Sequence, residues 1–153
     1  MTHSVWYDVD LRCTQCHHTA KAADTRLYTY RLNPEVRDVR LAPGQTLELI
    51  PEDFDDAFER LRAPGTSGRL RALEVRGCPS CGSPQYAVLV FTPVSPDEYR
   101  LESVEATEIA AADVPGLHLV SWRALESLKL RSREPDEAVL AAIDRAREGE
   151  RPE

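Results

Sequence analysis

The sequence predicts an α+β fold in which a mostly antiparallel sheet carries a four-cysteine metal site at one end and two to three helices pack on the sheet. Three patterns predict this fold: apolar segments of strand length, segments with helical apolar spacing, and two Cys-x-x-Cys pairs flanked by strand-forming residues. A chain of 153 residues with 42% hydrophobic residues is long enough to bury such a core.

Two strands are predicted around the first cysteine pair. Residues 5–11 alternate apolar and polar side chains as they approach Cys13, which is typical of a half-buried strand. Residues 25–32 are rich in strand-forming residues and predict a partner strand after the pair. A strand, a cysteine turn and a second strand together form the hairpin of a zinc knuckle.

The middle of the chain predicts a short strand over 46–49 and an inserted helix near 51–62. Proline suits the first position of a helix, and Glu52 and Asp53 favour the positive end of its dipole. Apolar residues then recur at helical spacing and define one buried face, formed by Phe54, Ala57, Phe58 and Leu61.

Further strands are predicted on both sides of the second cysteine pair. Residues 70–75 lead into that pair, and residues 86–94 form an almost unbroken apolar run. Such a run predicts a strand buried on both faces, at the centre of the sheet. Residues 99–109 predict a long half-exposed strand, and residues 117–120 a short one.

Two helices are predicted to complete the fold. Ser121 suits the N-cap of a helix that reaches about Leu130, with three residues on its inner side: Trp122, Leu125 and Leu128. The last helix begins at Glu134, and its apolar face contains Val139, Ala142, Ile143 and Ala146. We assign residues 1–131 to the metal-bearing α+β domain, and 132–153 to a C-terminal helix with a frayed tail that packs on the same domain.

The two cysteine pairs predict a metal site. They contain all four cysteines of the chain, and a two-residue spacing lets both sulfurs of a pair reach one ion. Four thiolates form the closed tetrahedral shell of structural Zn²⁺, which leaves no open position for catalysis. We therefore predict that Zn²⁺ is bound by four ligands: Cys13, Cys16, Cys78 and Cys81.

The stretch CPSCG at 78–82 resembles the second knuckle of zinc ribbons and of rubredoxins. That likeness implies the same four cysteine ligands, and for rubredoxins it implies iron in place of zinc. His17 stands where rubredoxins usually have glycine after the first pair. Through its paired knuckles the chain is also similar to bacterial double-CxxCG-motif immunity proteins, although its first motif lacks the glycine. The resemblance thus implies a zinc-ribbon-like protein.

The charge composition of the chain restricts the classes of molecule that it is expected to bind. The formal net charge is −7, and residues 101–153 carry 12 acidic against 7 basic side chains. This acidic balance argues against a nucleic-acid partner, because a protein binds nucleic acid largely by neutralising its phosphates. The N-terminus has no signal-peptide pattern, and no apolar run reaches the roughly 20 residues of a membrane span. We therefore expect a cytoplasmic protein whose partner is another protein, with no membrane contact.

Other candidate residues have simpler structural interpretations. His17 and His18 are expected to be exposed knuckle residues or hydrogen-bond donors to the thiolates, and His118 an ordinary sheet residue. Four acidic residues are expected to form the solvated face and the N-terminal turn of a helix: Asp53, Asp55, Asp56 and Glu59. An aromatic and basic stretch could be a platform for single-stranded nucleic acid, but a half-buried strand is the simpler interpretation: Arg26, Tyr28, Tyr30 and Arg31.

The sequence therefore favours a non-enzymatic, zinc-stabilised cytosolic protein that acts as a protein–protein interaction or accessory module. It contains no nucleotide-binding fingerprint and no nucleophile motif. Three alternatives stay open: a nucleic-acid-binding zinc ribbon that assists transcription, a bacterial immunity protein, and a rubredoxin-like iron electron carrier. The partner, the oligomeric state, any small ligand and the role of His17 and His18 are also open.

Overall fold

The computed structural model of the protein describes residues 4–30, 38–131 and 134–150. Its strands are β1 (Ser4–Tyr7), β2 (Leu11–Arg12), β3 (Thr19–Ala20), β4 (Tyr28–Tyr30), β5 (Val39–Leu41), β6 (Thr46–Glu48), β7 (Phe58–Arg60), β8 (Leu70–Gly77), β9 (Pro84–Ser95), β10 (Glu98–Thr107) and β11 (Leu119–Ser121). Its helices are α1 (Pro51–Ala57), α2 (Trp122–Arg131) and α3 (Glu134–Glu150), with 3₁₀ turns at Ala22–Asp24 and Ala111–Gly116. These elements confirm the predicted α+β class.

The largest sheet has six strands in the order β6-β10-β9-β8-β11-β7. Its neighbouring strands are antiparallel except β8 and β11, which are parallel. A smaller sheet has the order β4-β1-β5, and β2 and β3 form a separate antiparallel hairpin. The predicted mostly antiparallel arrangement is confirmed.

β9 is buried on both faces as far as Phe91, which confirms most of the prediction for residues 86–94, but Val94 near its end is 49% exposed. Its side chains alternate between two apolar clusters because successive strand residues point to opposite faces. Ala87, Leu89 and Phe91 join a cluster with β1, α1 and β8. Tyr86, Val88 and Val90 join a second cluster that includes residues of α2 and α3. The six-stranded sheet thus has a packed layer on each side.

The helix predicted near 51–62 is shorter than expected, so that prediction is wrong in its second half. α1 ends at Ala57, and β7 follows without a loop. Phe58 pairs with Ser121 of β11, so this segment forms the edge of the six-stranded sheet. Phe58 and Leu61 are still buried, but Phe58 lies in β7 and Leu61 directly after it, so neither belongs to a helical face. Sheet pairing has overridden the local helical pattern.

The first knuckle hairpin is also built differently from the prediction. The strand predicted over 5–11 is interrupted after Tyr7 and resumes as β2. The partner of β2 is β3, which begins at Thr19 and therefore lies closer to the cysteines than the predicted 25–32. β4 pairs with β1 instead, and positions 31 and 32 of that prediction lie outside the described residues.

The helices α2 and α3 cover one face of the six-stranded sheet. Ser121 caps α2 as predicted, since its Oγ accepts a hydrogen bond from the N–H of Ala124 at 2.9 Å. Leu125 and Leu128 are buried as predicted, but Trp122 is 46% exposed and does not lie on the inner side. The first turn of α2 directs Trp122 away from the sheet. None of the described helices has the length and apolarity that crossing a membrane would require.

Four apolar positions were predicted for the inner face of α3. Val139, Ala142 and Ile143 are buried in the second apolar cluster, and Ala146 packs against it. This pattern confirms the predicted helical face, and the helix itself continues to Glu150.

A buried carboxylate joins the two larger sheets. Glu74 of β8 is fully buried, and its oxygens accept hydrogen bonds from Thr29 Oγ1 at 2.9 Å and Ser121 Oγ at 2.6 Å. It also accepts from the N–H of Val75 at 3.0 Å and lies 3.6 Å from a guanidinium nitrogen of Arg123. Because Thr29 belongs to β4 and Ser121 to β11, this one side chain fixes the smaller sheet to the larger one.

Candidate metal centre

Each cysteine pair lies in the turn of a β-hairpin. The second pair occupies the connection between β8 and β9, two central strands of the six-stranded sheet, and the first occupies the connection between β2 and β3. The sulfurs of the two pairs meet at that end of the six-stranded sheet. This position confirms the prediction that the four-cysteine cluster lies at one end of the sheet.

The second turn is closed by two backbone hydrogen bonds. The N–H of Cys78 donates to the carbonyl of Ser83 at 3.0 Å, and the N–H of Gly82 donates to the carbonyl of Cys78 at 2.8 Å. Gly82 has φ +76°, in the left-handed region that glycine adopts without a Cβ clash. Glycine therefore adopts this turn conformation without backbone strain.

The first turn has the same hydrogen-bond pattern. The N–H of Cys13 donates to the carbonyl of His18 at 2.9 Å, and the N–H of His17 donates to the carbonyl of Cys13 at 3.1 Å. In this first turn His17 occupies the position that Gly82 occupies in the second turn, and it adopts φ +65°. The missing glycine noted in the sequence therefore does not prevent the knuckle fold, since histidine is among the residues that tolerate this region.

The four sulfurs are spaced as the corners of a tetrahedron around one ion. Cys13 Sγ lies 3.7 Å from Cys81 Sγ, and Cys16 Sγ lies 3.7 Å from Cys78 Sγ. All four sulfurs lie within 4.8 Å of one another. A tetrahedron with Zn–S bonds of about 2.3 Å has edges of about 3.8 Å, whereas a disulfide needs an S–S distance of about 2.0 Å. The cysteines are free thiols at metal-binding distance.

Hydrogen bonds favour the thiolate form of two of these cysteines. Burial raises the pKa of Cys13, but hydrogen bonds together outweigh burial and lower the pKa from 9.0 to about 6. They come from the N–H groups of Cys16 and Gln15, at 3.4 and 3.3 Å from the Cys13 sulfur, and from the thiols of Cys16 and Cys81. The Ser83 hydroxyl, 2.8 Å from Cys81 Sγ, lowers the pKa of Cys81. Thiolates are the form that binds a metal ion.

The neighbouring sulfurs disfavour the thiolate form of Cys16. A backbone hydrogen bond from His18 lowers the pKa of Cys16, but burial and the three neighbouring sulfurs outweigh that bond and raise the pKa to about 11. Like charges this close disfavour one another, and a bound divalent cation reverses this effect. The donor set therefore fits a soft divalent metal ion, which would be needed to hold four thiolates together.

Two residues that the sequence did not single out hold the knuckles in place. Gln85 of β9 is buried, and its Oε1 accepts from the N–H of Thr14 at 2.7 Å and from its hydroxyl at 3.0 Å. Ser83 lies between the pairs, with Oγ 3.9 Å from Cys13 Sγ as well as 2.8 Å from Cys81 Sγ. The sequence did contain one signal for Gln85, because it is a polar residue at an inward position of an otherwise apolar strand.

The imidazoles of His17 and His18 lie on exposed turn residues, and their role stays open, although the backbone N–H of His18 donates to the sulfur of Cys16. The other sequence candidates lie outside this centre. His118 takes part in sheet bonding, because its Nδ1 accepts from the N–H of Arg71 at 3.1 Å. Asp53 caps its own helix by accepting from the N–H of Ile50 at 2.9 Å. Within the described ranges, the four cysteines are the one group of three or more metal-ligating side chains.

The aromatic stretch around β4 is used within the protein. Tyr28 packs on Trp6 with ring centroids 4.5 Å apart, and the guanidinium of Arg123 lies 3.9 Å from the Tyr28 ring centroid. The Tyr28 and Tyr30 hydroxyls are hydrogen-bonded at 2.8 Å. These contacts support the interpretation as a half-buried strand, and Arg31 lies outside the described residues.

Substitution of Gly82 tests the knuckle geometry. We expect Gly82→Ala to lower the free energy of unfolding by about 1–2 kcal/mol, because alanine is strained at φ +76°. Gly77→Ala is the matched control, since Gly77 lies in β8 and a Cβ there meets no atom within 4 Å. Urea unfolding of the metal-loaded variants measures both effects. Equal free energies of unfolding for Gly82→Ala and Gly77→Ala would contradict the assigned turn.

Comparisons with protein-family models, with curated proteins and with solved structures find no match to this chain.

Proposed function

We propose that Cys13, Cys16, Cys78 and Cys81 bind one structural Zn²⁺, and that the chain is a non-enzymatic cytosolic protein that acts by binding another protein. The observation that carries the metal proposal is the tetrahedral spacing of the four sulfurs. The ion would join the β2–β3 hairpin to the β8–β9 hairpin. Four protein ligands fill the coordination shell, so the site stabilises the fold and offers no position for a substrate.

The same four thiolates could bind iron, as in the rubredoxin-like alternative. Zinc is favoured because a d¹⁰ ion imposes no geometric preference of its own and four cysteines are its common structural shell. A colourless purified protein supports zinc, whereas a red protein supports iron.

The charge distribution supports a protein partner with a basic surface. Acidic side chains are exposed along β10 and on both helices that cover the sheet: Glu102, Glu105, Glu126, Glu137, Asp144 and Glu148. Together with the net charge of −7, they favour cationic protein surfaces and disfavour phosphate backbones. Such an association would weaken as salt rises, because exposed charges are screened.

Affinity purification of the tagged protein from its native cells tests the interaction, with and without nuclease. We expect a stoichiometric protein partner that survives nuclease and elutes as salt rises. The Cys78→Ser chain serves as control bait, because proteins that bind merely an unfolded chain will be captured by it as well. Association that disappears with nuclease would contradict the proposal and favour the nucleic-acid-binding alternative.

A further inference from the structure

A second charged residue is buried between Glu74 and the metal centre. Glu74, Arg76 and Cys78 occupy alternate positions of the β8 segment and the turn after it, so their side chains point to the same face. Arg76 is only 2% exposed. A guanidinium stays protonated in proteins, so a full positive charge is buried beside the four cysteines.

The hydrogen bonds of Arg76 do not compensate its burial. One terminal nitrogen, Nη1, donates to the carbonyl of Thr25 at 3.4 Å. The other, Nη2, is buried and has no hydrogen-bond partner among the described residues. An isolated buried charge costs several kcal/mol, so a compensating negative charge is expected nearby.

Glu74 is not that negative charge. Its oxygens are already bound by Thr29, Ser121 and the backbone of Val75, and its ion pair is with Arg123 at 3.6 Å. Arg76 instead lies two residues before Cys78 on the same strand face, so the four-cysteine cluster is the group that its charge faces. Four thiolates around one divalent cation carry a net charge of −2, which is the compensation that the buried guanidinium lacks.

We propose that Arg76 is the buried counter-ion of the metal centre, and that its positive charge strengthens the binding of a divalent metal ion by the four thiolates. This inference rests on the proposed metal site and adds a residue that tunes it. Arg76 touches no metal ion and acts through the charge that it places beside the ligands. Removal of a residue that supports metal ligands typically weakens metal affinity by about 10–100-fold.

Zinc affinity of three variants, measured by competition with a chromophoric chelator, tests the role of the charge. We expect Arg76→Met to weaken zinc binding by at least tenfold, and Arg76→Lys to recover part of that affinity, because nearby thiolates favour the charged form of an ammonium group. Arg71→Met makes the same substitution elsewhere on β8 and is expected to leave affinity unchanged. The visible spectrum of the Co²⁺-loaded proteins reports whether tetrahedral thiolate coordination is retained.

A double-mutant cycle separates charge compensation from simple packing. Cys16→Ser removes one thiolate, so the centre changes from a net charge of −2 to −1. If Arg76 acts through charge, the effect of Arg76→Met on the logarithm of the affinity becomes smaller in the Cys16→Ser background, because the metal-bound centre then carries one negative charge fewer. A packing role predicts an equal loss in both backgrounds.

The two proposals fail in different ways. A wild-type chain that binds no metal would overturn the metal site itself. A wild-type chain that binds zinc while Arg76→Met stays within twofold of it would overturn the counter-ion role alone. An equal loss in Arg76→Met and Arg76→Lys, or in Arg76→Met and Arg71→Met, would also overturn it.

Discussion

Replacement of Cys78 by serine is expected to abolish tight zinc binding and to unfold most of the protein. Cys78 is 2% exposed, so its hydroxyl replacement is a poor ligand in a buried position. Structural zinc contributes about 10–16 kcal/mol of apparent binding free energy, as much as or more than the 5–15 kcal/mol by which domains are usually stable. Far-ultraviolet circular dichroism and elemental analysis measure the two effects.

The matched control for this substitution lies in the same turn. Ser80 is exposed between the two cysteines of the second pair, and Ser80→Ala removes a hydroxyl without removing a ligand. We expect that variant to retain zinc and to fold. A Cys78→Ser chain that is fully folded and carries one zinc would contradict the structural role of the site.

Replacement of Glu74 by alanine is expected to lower the free energy of unfolding by about 3 kcal/mol. The change leaves two buried hydroxyls and one backbone N–H without their acceptor and leaves Arg123 without its ion pair. Because those hydroxyls belong to β4 and β11, the loss also weakens the attachment of the smaller sheet. Urea unfolding of the zinc-loaded variant measures the change.

Glu102→Ala is the comparison for this second prediction. Glu102 of β10 also has a cationic partner, Arg69 at 3.0 Å, and accepts a hydrogen bond from Thr92 at 2.6 Å, but the group is exposed. Water replaces those contacts, so we expect a change below about 1 kcal/mol. Similar losses for Glu74→Ala and Glu102→Ala would show that the buried network does not hold the sheets together.

Features determined by local chemistry were predictable from the sequence. The two Cys-x-x-Cys pairs indicated one cluster because a metal shell depends on ligand type and spacing, whatever the length of the chain between them. The continuous apolar run of β9 indicated burial on both faces, since each face of a central strand needs its own apolar set. The cap at Ser121 followed from its hydroxyl, which can accept a helix N–H.

Features determined by long-range pairing were not predictable. The end of α1 at Ala57 depends on the pairing of Phe58 with β11, more than sixty positions later in the chain. The roles of Gln85 and Arg76 depend on which knuckle lies against each of them. Neither contact leaves a periodic trace in the sequence, because both join segments that meet only in the folded chain.

Metal analysis of the protein purified under reducing conditions is the most direct test of the four-cysteine site. Native mass spectrometry and elemental analysis should find one zinc ion per chain in a colourless protein, and a strong chelator should remove the ion and unfold the chain. A folded chain that carries no metal ion, or one that stays folded after the chelator has removed the ion, would contradict a structural metal centre, and a red chain with one iron ion would contradict zinc.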